Sequence, residues 1–211
     1  MISFFIDTCT SLATIALLNN NKLINKKIVT SNHDLSSNLF SYIEELFKEV
    51  NINPKEIKKI YVAYGPGSFT GVRIGLTIAK TYAYSLGIKL VPISSLEIMA
   101  SSLDEKVISL IDARRGYVFA GGYDESLNSF FKDSYIELSV LKDMYPGLKY
   151  ISVDSFDFDT LKPNINIEKI VNKHSELGLN PEQVNPNYLK ITEAEANLNN
   201  ADNKWYKWNQ K

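Results

Sequence analysis

The side chains able to do chemistry are few. Two histidines, His33 and His174, and one cysteine, Cys9, are the whole supply of imidazole and thiol groups. No H-E-x-x-H or paired-cysteine spacing occurs, so a zinc site would need mostly carboxylates, which is not a usual zinc ligand set. His33 stands just before a helical pattern, where a cap or a packing role outweighs ligation. A triad of Ser68, His33 and an aspartate can be drawn, but Ser68 is not in a G-x-S-x-G elbow. Asp7 and Asp112 each end an apolar run and could face a common cleft, holding a metal-bound phosphate as paired carboxylates do in phosphoryl transfer. Against that, Asp112 is followed by Ala113, Arg114 and Arg115 and not by a glycine turn. Residues 65–75, GPGSFTGVRIG, could aim backbone N–H groups and a helix N-terminus at an anion. Their G-x-G-x-x-x-G spacing misses the dinucleotide fingerprint and no P-loop lysine follows, so an architectural loop allowing close backbone approach is the stronger reading. Residues 204–208, KWYKW, interleave bases and rings as single-strand binders do, although a terminal helix laying aromatics on the core is the commoner use.

The elements that must position these groups follow from periodicity. Apolar runs at residues 2–6 and 12–18, with a third at 22–29, read as strands. Leu35, Leu39, Ile43, Leu46, Phe47 and Val50 then recur at helical steps, and residues 53–54 close that helix. A strand at residues 60–64 runs through the glycine loop into a helix ending near Leu86, with Gly87 at its C-cap. Residues 89–92 give another strand, and Ser94 with Glu97 resembles a capping box opening a further helix. The plan restarts at residues 107–111, ending in Asp112, followed by a turn and a strand at 117–123. A hairpin with an aspartate at the same corner twice suggests a duplicated α/β domain, although any strand can end in aspartate. Later residues are broken by Asn and Pro, and only residues 185–190, NPNYLK, look like a motif.

On the helix after the glycine loop, Gly71, Gly75, Ala79 and Ala83 leave one face without bulk, beside a second apolar face of Ile74, Ile78 and Tyr82. Either the chain's own sheet fills these faces, or with the preceding helix they present an apolar surface to another protein. Length and composition set the outer limits. With 211 residues, 45% of them hydrophobic, the chain can build a substantial core, and its net charge of -1 excludes a global basic field for nucleic acid. The lone cysteine and the absence of a leader pattern suit a reducing cytoplasm, and no apolar run reaches the roughly 20 residues that span a bilayer.

Residues 6–10 (IDTCT), His33, residues 65–75 with Ala79 and Lys80, residues 94–97 (SSLE), 112–116 (DARRG) and the late PNYLK resemble the TsaB (YeaZ) family, related to the Gcp or peptidase M22 proteins of the actin, Hsp70 and sugar kinase (ASKHA) superfamily. The resemblance implies an α/β, actin-like (ribonuclease H-like) fold of two related lobes, with mixed sheets flanked by helices. The lobes would be residues 1–103 and a smaller, degenerate 104–211 whose terminal helix packs back on the first. It implies a non-catalytic partner of the catalytic paralogue TsaD, working with the ATPase TsaE, in threonylcarbamoylation of the adenosine beside the tRNA anticodon. The pairing surface would then comprise Leu35, Leu39, Ile43, Gly71, Ile74, Gly75, Ile78, Ala79, Tyr82 and Ala83, facing the paralogue or a second copy of the chain. Asp7, Thr8, Asp112 and Arg114 would be a vestigial nucleotide or phosphate site. No catalytic residue, metal or cofactor is expected, tRNA would be met through the complex, and no membrane is involved. The rivals are an ASKHA ATPase or kinase and an M22-type metallopeptidase.

Overall fold

The computed structural model describes residues 1–30 and 35–190. Strands β1 (Ile2–Asp7), β2 (Leu12–Asn19) and β3 (Lys22–Thr30) form an antiparallel meander. After helix α1 (Leu35–Glu49) the chain returns as β4 (Ile57–Ala63), parallel to β1. Helix α2 (Phe69–Leu86) and strand β5 (Leu90–Ile93) complete a sheet of order β3-β2-β1-β4-β5. Helix α3 (Ser95–Ala100) leads to the second sheet, built from β6 (Val107–Asp112), β7 (Tyr117–Tyr123), β8 (Ser129–Glu137) and, after helix α4 (Leu138–Met144), β9 (Lys149–Ile151). Its order, β8-β7-β6-β9, repeats the first four strands of the first sheet, with the same antiparallel and parallel pairings. The duplication suspected from two aspartate corners is thus a duplication of topology.

Burial explains the strand chemistry. In β1 every residue after Ile2 is buried, because helices cover both faces of a partly parallel sheet. Phe4 meets Phe47 of α1 and Tyr82 of α2, with ring centroids 5.9 and 6.3 Å apart, so both helices share one face. On the other face Tyr61 directs its hydroxyl to the Val171 carbonyl, 3.4 Å away, in helix α5 (Ile167–Lys173). Edge strand β3 instead alternates and carries Lys26 and Lys27, and the latter reaches Glu49 of α1 at 2.6 Å.

The periodic segments were readable; β8, α4, β9 and α5 were not. In β8 the ordinary pattern inverts, since the carboxylate of Asp133 is more enclosed than its neighbour Phe130. Ser94 does cap α3, accepting the Leu96 N–H at 3.1 Å. Glu97 does not reciprocate as a capping box would: it turns to Lys173 and His174 of the α5 segment, 2.9 and 2.7 Å away. His33 and residues 204–208 lie outside the described residues.

Candidate functional site

A cleft of about 640 Å³ opens between the two sheets. Its walls are the β1–β2 turn (Cys9, Thr10, Ser11), the loop at residues 67–70, the β6–β7 turn from Ile111 to Arg114, and Phe119, Asp154 and Lys190. The glycine loop is clasped to the β1–β2 turn. The Ser68 N–H donates to the Cys9 carbonyl at 2.8 Å, and the Thr8 hydroxyl donates to the Gly71 carbonyl at 2.6 Å. A Cβ on Gly67 would run into the Cys9 carbonyl and one on Gly71 into that of Thr8. These glycines are there to let backbone meet backbone, which agrees with an architectural loop. The Ser68 hydroxyl is occupied too, accepting the Gly71 N–H at 3.3 Å as the N-cap of α2.

The four residues read as a vestigial phosphate site do not converge. Asp112 and Arg114 line the cleft; Asp7 and Thr8 lie beneath it, buried. Asp7 and Asp112 therefore do not face each other across the opening. Each does the same local job instead, for Asp7 Oδ1 accepts the Cys9 N–H at 2.9 Å and Asp112 Oδ1 accepts the Arg114 N–H at 2.8 Å. A short side chain hydrogen-bonding two residues ahead stabilises a turn, which is why aspartate recurs at both corners. The second turn holds Arg114 and Arg115 at φ of 65° and 57°, an uncommon backbone for residues with a Cβ. Asp154, whose carboxylate accepts the Asp112 N–H at 2.8 Å, and Lys190 were missed by sequence reasoning. Only the NPNYLK motif pointed at Lys190. Among the described residues no group of three His, Cys, Asp or Glu side chains could hold a metal ion.

Burial pushes the Asp7 carboxyl up to about 6, with the Cys9 hydrogen bonds pulling the other way. A folded-state value above the ordinary 3.8 means folding takes up a proton between those limits. The stabilising contribution of the neutral acid is complete below about pH 4 and lost as pH rises through about 6, on the order of 3 kcal/mol in total. Asp7→Asn keeps the acceptor for Cys9 and cannot titrate. The difference in urea-unfolding free energy between the two proteins is expected to vary across pH 4–6.5 and to be level above it; a constant difference contradicts the burial argument.

The ten residues read as a pairing surface divide sharply. Leu35, Leu39, Ile43, Gly71, Gly75, Ile78, Ala79 and Ala83 are buried in the chain itself, and only Ile74 and Tyr82 are partly open. The small-residue face is turned inward because Thr8 occupies it: both Gly71 and Gly75 abut that residue. On the outside of the same two helices stand Phe40, 58% exposed, and a groove of about 670 Å³ lined by Phe40, Glu44, Phe47, Lys48, residues 51–54, Glu56 and Tyr82.

A four-strand unit repeated with the same order, and a cleft between the copies, defines an actin-like ASKHA fold of the ribonuclease H type. Residues 22–188 match the family described as TsaD: tRNA N6-adenosine threonylcarbamoyltransferase. The chain belongs to that family, and within it resembles the TsaB (YeaZ) members. It is 40% identical over 121 residues to the tRNA threonylcarbamoyladenosine biosynthesis protein TsaB of Bacillus subtilis, covering 56% of this chain and 53% of that one. The TsaB of Escherichia coli is 29% identical over 142 residues, 65% of this chain and 61% of the other. The matches thus span about half to three-fifths of these relatives' length. A solved YeaZ structure from Pseudomonas aeruginosa superposes with a TM-score of 0.75 at 20% identity, covering 89% of this chain and 99% of that one, and shows the shared fold. No helix among the described residues is long and apolar enough to cross a membrane.

Proposed function

We propose that this chain serves in the formation of threonylcarbamoyladenosine in tRNA as the non-catalytic partner of a TsaD-type enzyme. The pathway is taken from the names of its TsaB relatives. The observation that carries the non-catalytic part is the position of Asp7, sealed under the cleft floor and engaged by Cys9, where it can neither hold a metal nor accept a proton from a substrate. Residues 1–103 and 104–211 would be its two lobes, with α5 of the second lent to the first. It would act in the cytoplasm, with a TsaE-type ATPase in the same assembly, meet tRNA through the complex, and pair with a second copy of itself when the enzyme is absent.

Pairing would use the outward side of α1 and α2, through Phe40, Ile74 and Tyr82, and not the inward glycine-alanine face. A charge placed in the desolvated centre of an interface loses water without gaining a partner, whereas at an exposed site in the free chain it costs little. Phe40→Glu is expected to weaken binding to the catalytic paralogue at least tenfold by calorimetry while leaving the melting temperature within about 3 °C, whereas Ile74→Glu, whose side chain packs partly against the core, is expected to lower the melting temperature as well as the affinity. Ala79→Glu, aimed into the core, is expected to unfold the chain. Normal pairing by Phe40→Glu would place the contact elsewhere.

A second reading, an ASKHA-type ATPase, draws on Asp112 and Asp154 lining the cleft with Arg114 and Lys190. Tight binding and turnover of Mg-ATP by the isolated chain would favour it.

A further inference from the structure

The NPNYLK segment carries a contact system that the pairing function does not use. Beyond α5 the chain runs back along α2 from its C-terminal to its N-terminal end. Leu179 exchanges two backbone hydrogen bonds with Leu90, at 2.8 and 3.0 Å, and Val184 is the last buried residue among those described. From there residues 186–190 pass over the glycine loop and reach the edge of the cleft, which Lys190 lines. The Asn187 N–H donates to the Tyr64 carbonyl at 2.8 Å, and the Asn187 carbonyl oxygen lies against Gly65, where a Cβ would stand 3.0 Å from it. The Tyr188 ring stacks on Phe69 with centroids 5.4 Å apart, and its hydroxyl accepts a hydrogen bond from Arg73 Nε at 2.8 Å. The Arg73 guanidinium lies 3.8 Å from the Phe69 centroid, closing a ring-cation-ring clasp. Two residues on, the Lys190 ammonium stands 5.2 Å from the Tyr135 ring of the second sheet. One short segment therefore presses on the glycine loop and touches both sheets.

Directly under that loop lies Cys9, fully buried, with its backbone against Gly67 and its thiol directed to the Ala63 carbonyl 3.6 Å away. Cys9 borders the cleft yet has no solvent-exposed surface, so reaction of its thiol reads out movement of the residues around it. The strap above the loop is held by exposed groups, for Tyr188 and Phe69 are each more than 40% open. Segments with few buried apolar contacts open at the low end of the local-unfolding scale, well before the core. We propose that residues 186–190 are a releasable strap that locks the glycine loop over the cleft floor, so that its detachment opens the cleft without unfolding the protein.

The chain carries a single cysteine, which makes the test direct. The rate at which Cys9 reacts with dithiobis-nitrobenzoate is followed on the full chain under native conditions, and its urea dependence is compared with that of global unfolding. Tyr188→Ala and Arg73→Ala should each raise the rate at least tenfold, with a shallow urea dependence and a nearly unchanged unfolding midpoint. The double variant should gain little over either single one, because both break the same clasp. Wild-type rates in both variants, or rates that follow urea as steeply as global unfolding does, would overturn the proposal.

Discussion

Replacing Gly71 with alanine is expected to lower stability by about 1–3 kcal/mol, although the same change in an unobstructed helix interior stabilises by about 1 kcal/mol. The sign is decided by what the new Cβ meets. At Gly71 it meets the main-chain carbonyl of Thr8, which cannot swing aside because the neighbouring Cys9 N–H is fixed by Asp7 and the Cys9 carbonyl by Ser68. For a chain of this length the loss corresponds to a fall in Tm of roughly 2–12 °C. Gly75→Ala is the informative companion, since its Cβ meets only the Thr8 hydroxyl, which can rotate at the expense of its bond to the Gly71 carbonyl. Calorimetric melts should rank wild type above Gly75→Ala and Gly75→Ala above Gly71→Ala. A Gly71→Ala protein as stable as wild type would mean that the loop and turn are not clasped as described.

Glu97→Ala is expected to cost about 2–4 kcal/mol, measured from urea unfolding near pH 7. Burial alone would raise this carboxyl, but His174 and then Lys173 more than offset it, leaving it below the usual glutamate range. Removing the carboxylate strands His174 Nε2 in a mostly enclosed position, while Lys173, nearly a third exposed, recovers part of its hydration and moderates the loss. The pH signature is opposite to that of Asp7. A depressed carboxyl stabilises above its unfolded value and loses that contribution as pH falls through its folded one. Glu97→Ala should therefore narrow its deficit in acid, whereas the Asp7→Asn difference changes between pH 4 and 6. A Glu97→Ala protein within 0.5 kcal/mol of wild type would show that α5 is held to α3 by packing alone.

The first hundred residues were legible because their information is local. Leu35, Leu39 and Ile43 at helical steps, an apolar run ending at Asp7, and Gly87 past the last turn of α2 each specify their element without reference to distant residues. What the sequence could not show depends on contacts made far along the chain. Which side of α2 faces inward is decided by Thr8, 63 residues away. Asp7 is buried beside Thr8 and Cys9, the two residues that the glycine loop clasps, so a residue of catalytic type serves a structural role. Asp133 is enclosed by Ser94 and Tyr123, partners on other elements, and so left β8 without a readable hydrophobic pattern. Asp154 and Lys190 reach the cleft from segments with no periodicity at all.

In the function proposed here, the chain enables a catalytic paralogue and does no chemistry alone. The direct measurement is threonylcarbamoyl transfer to tRNA from its adenylate donor, read as modified adenosine by mass spectrometry. It is made with the chain alone, with the TsaD-type paralogue and the ATPase alone, and with all three. No product is expected from the chain alone, and product formation by the other two is expected to depend on adding it. Product made by the chain without the paralogue, or a rate that does not change when the chain is left out, would contradict the proposed function.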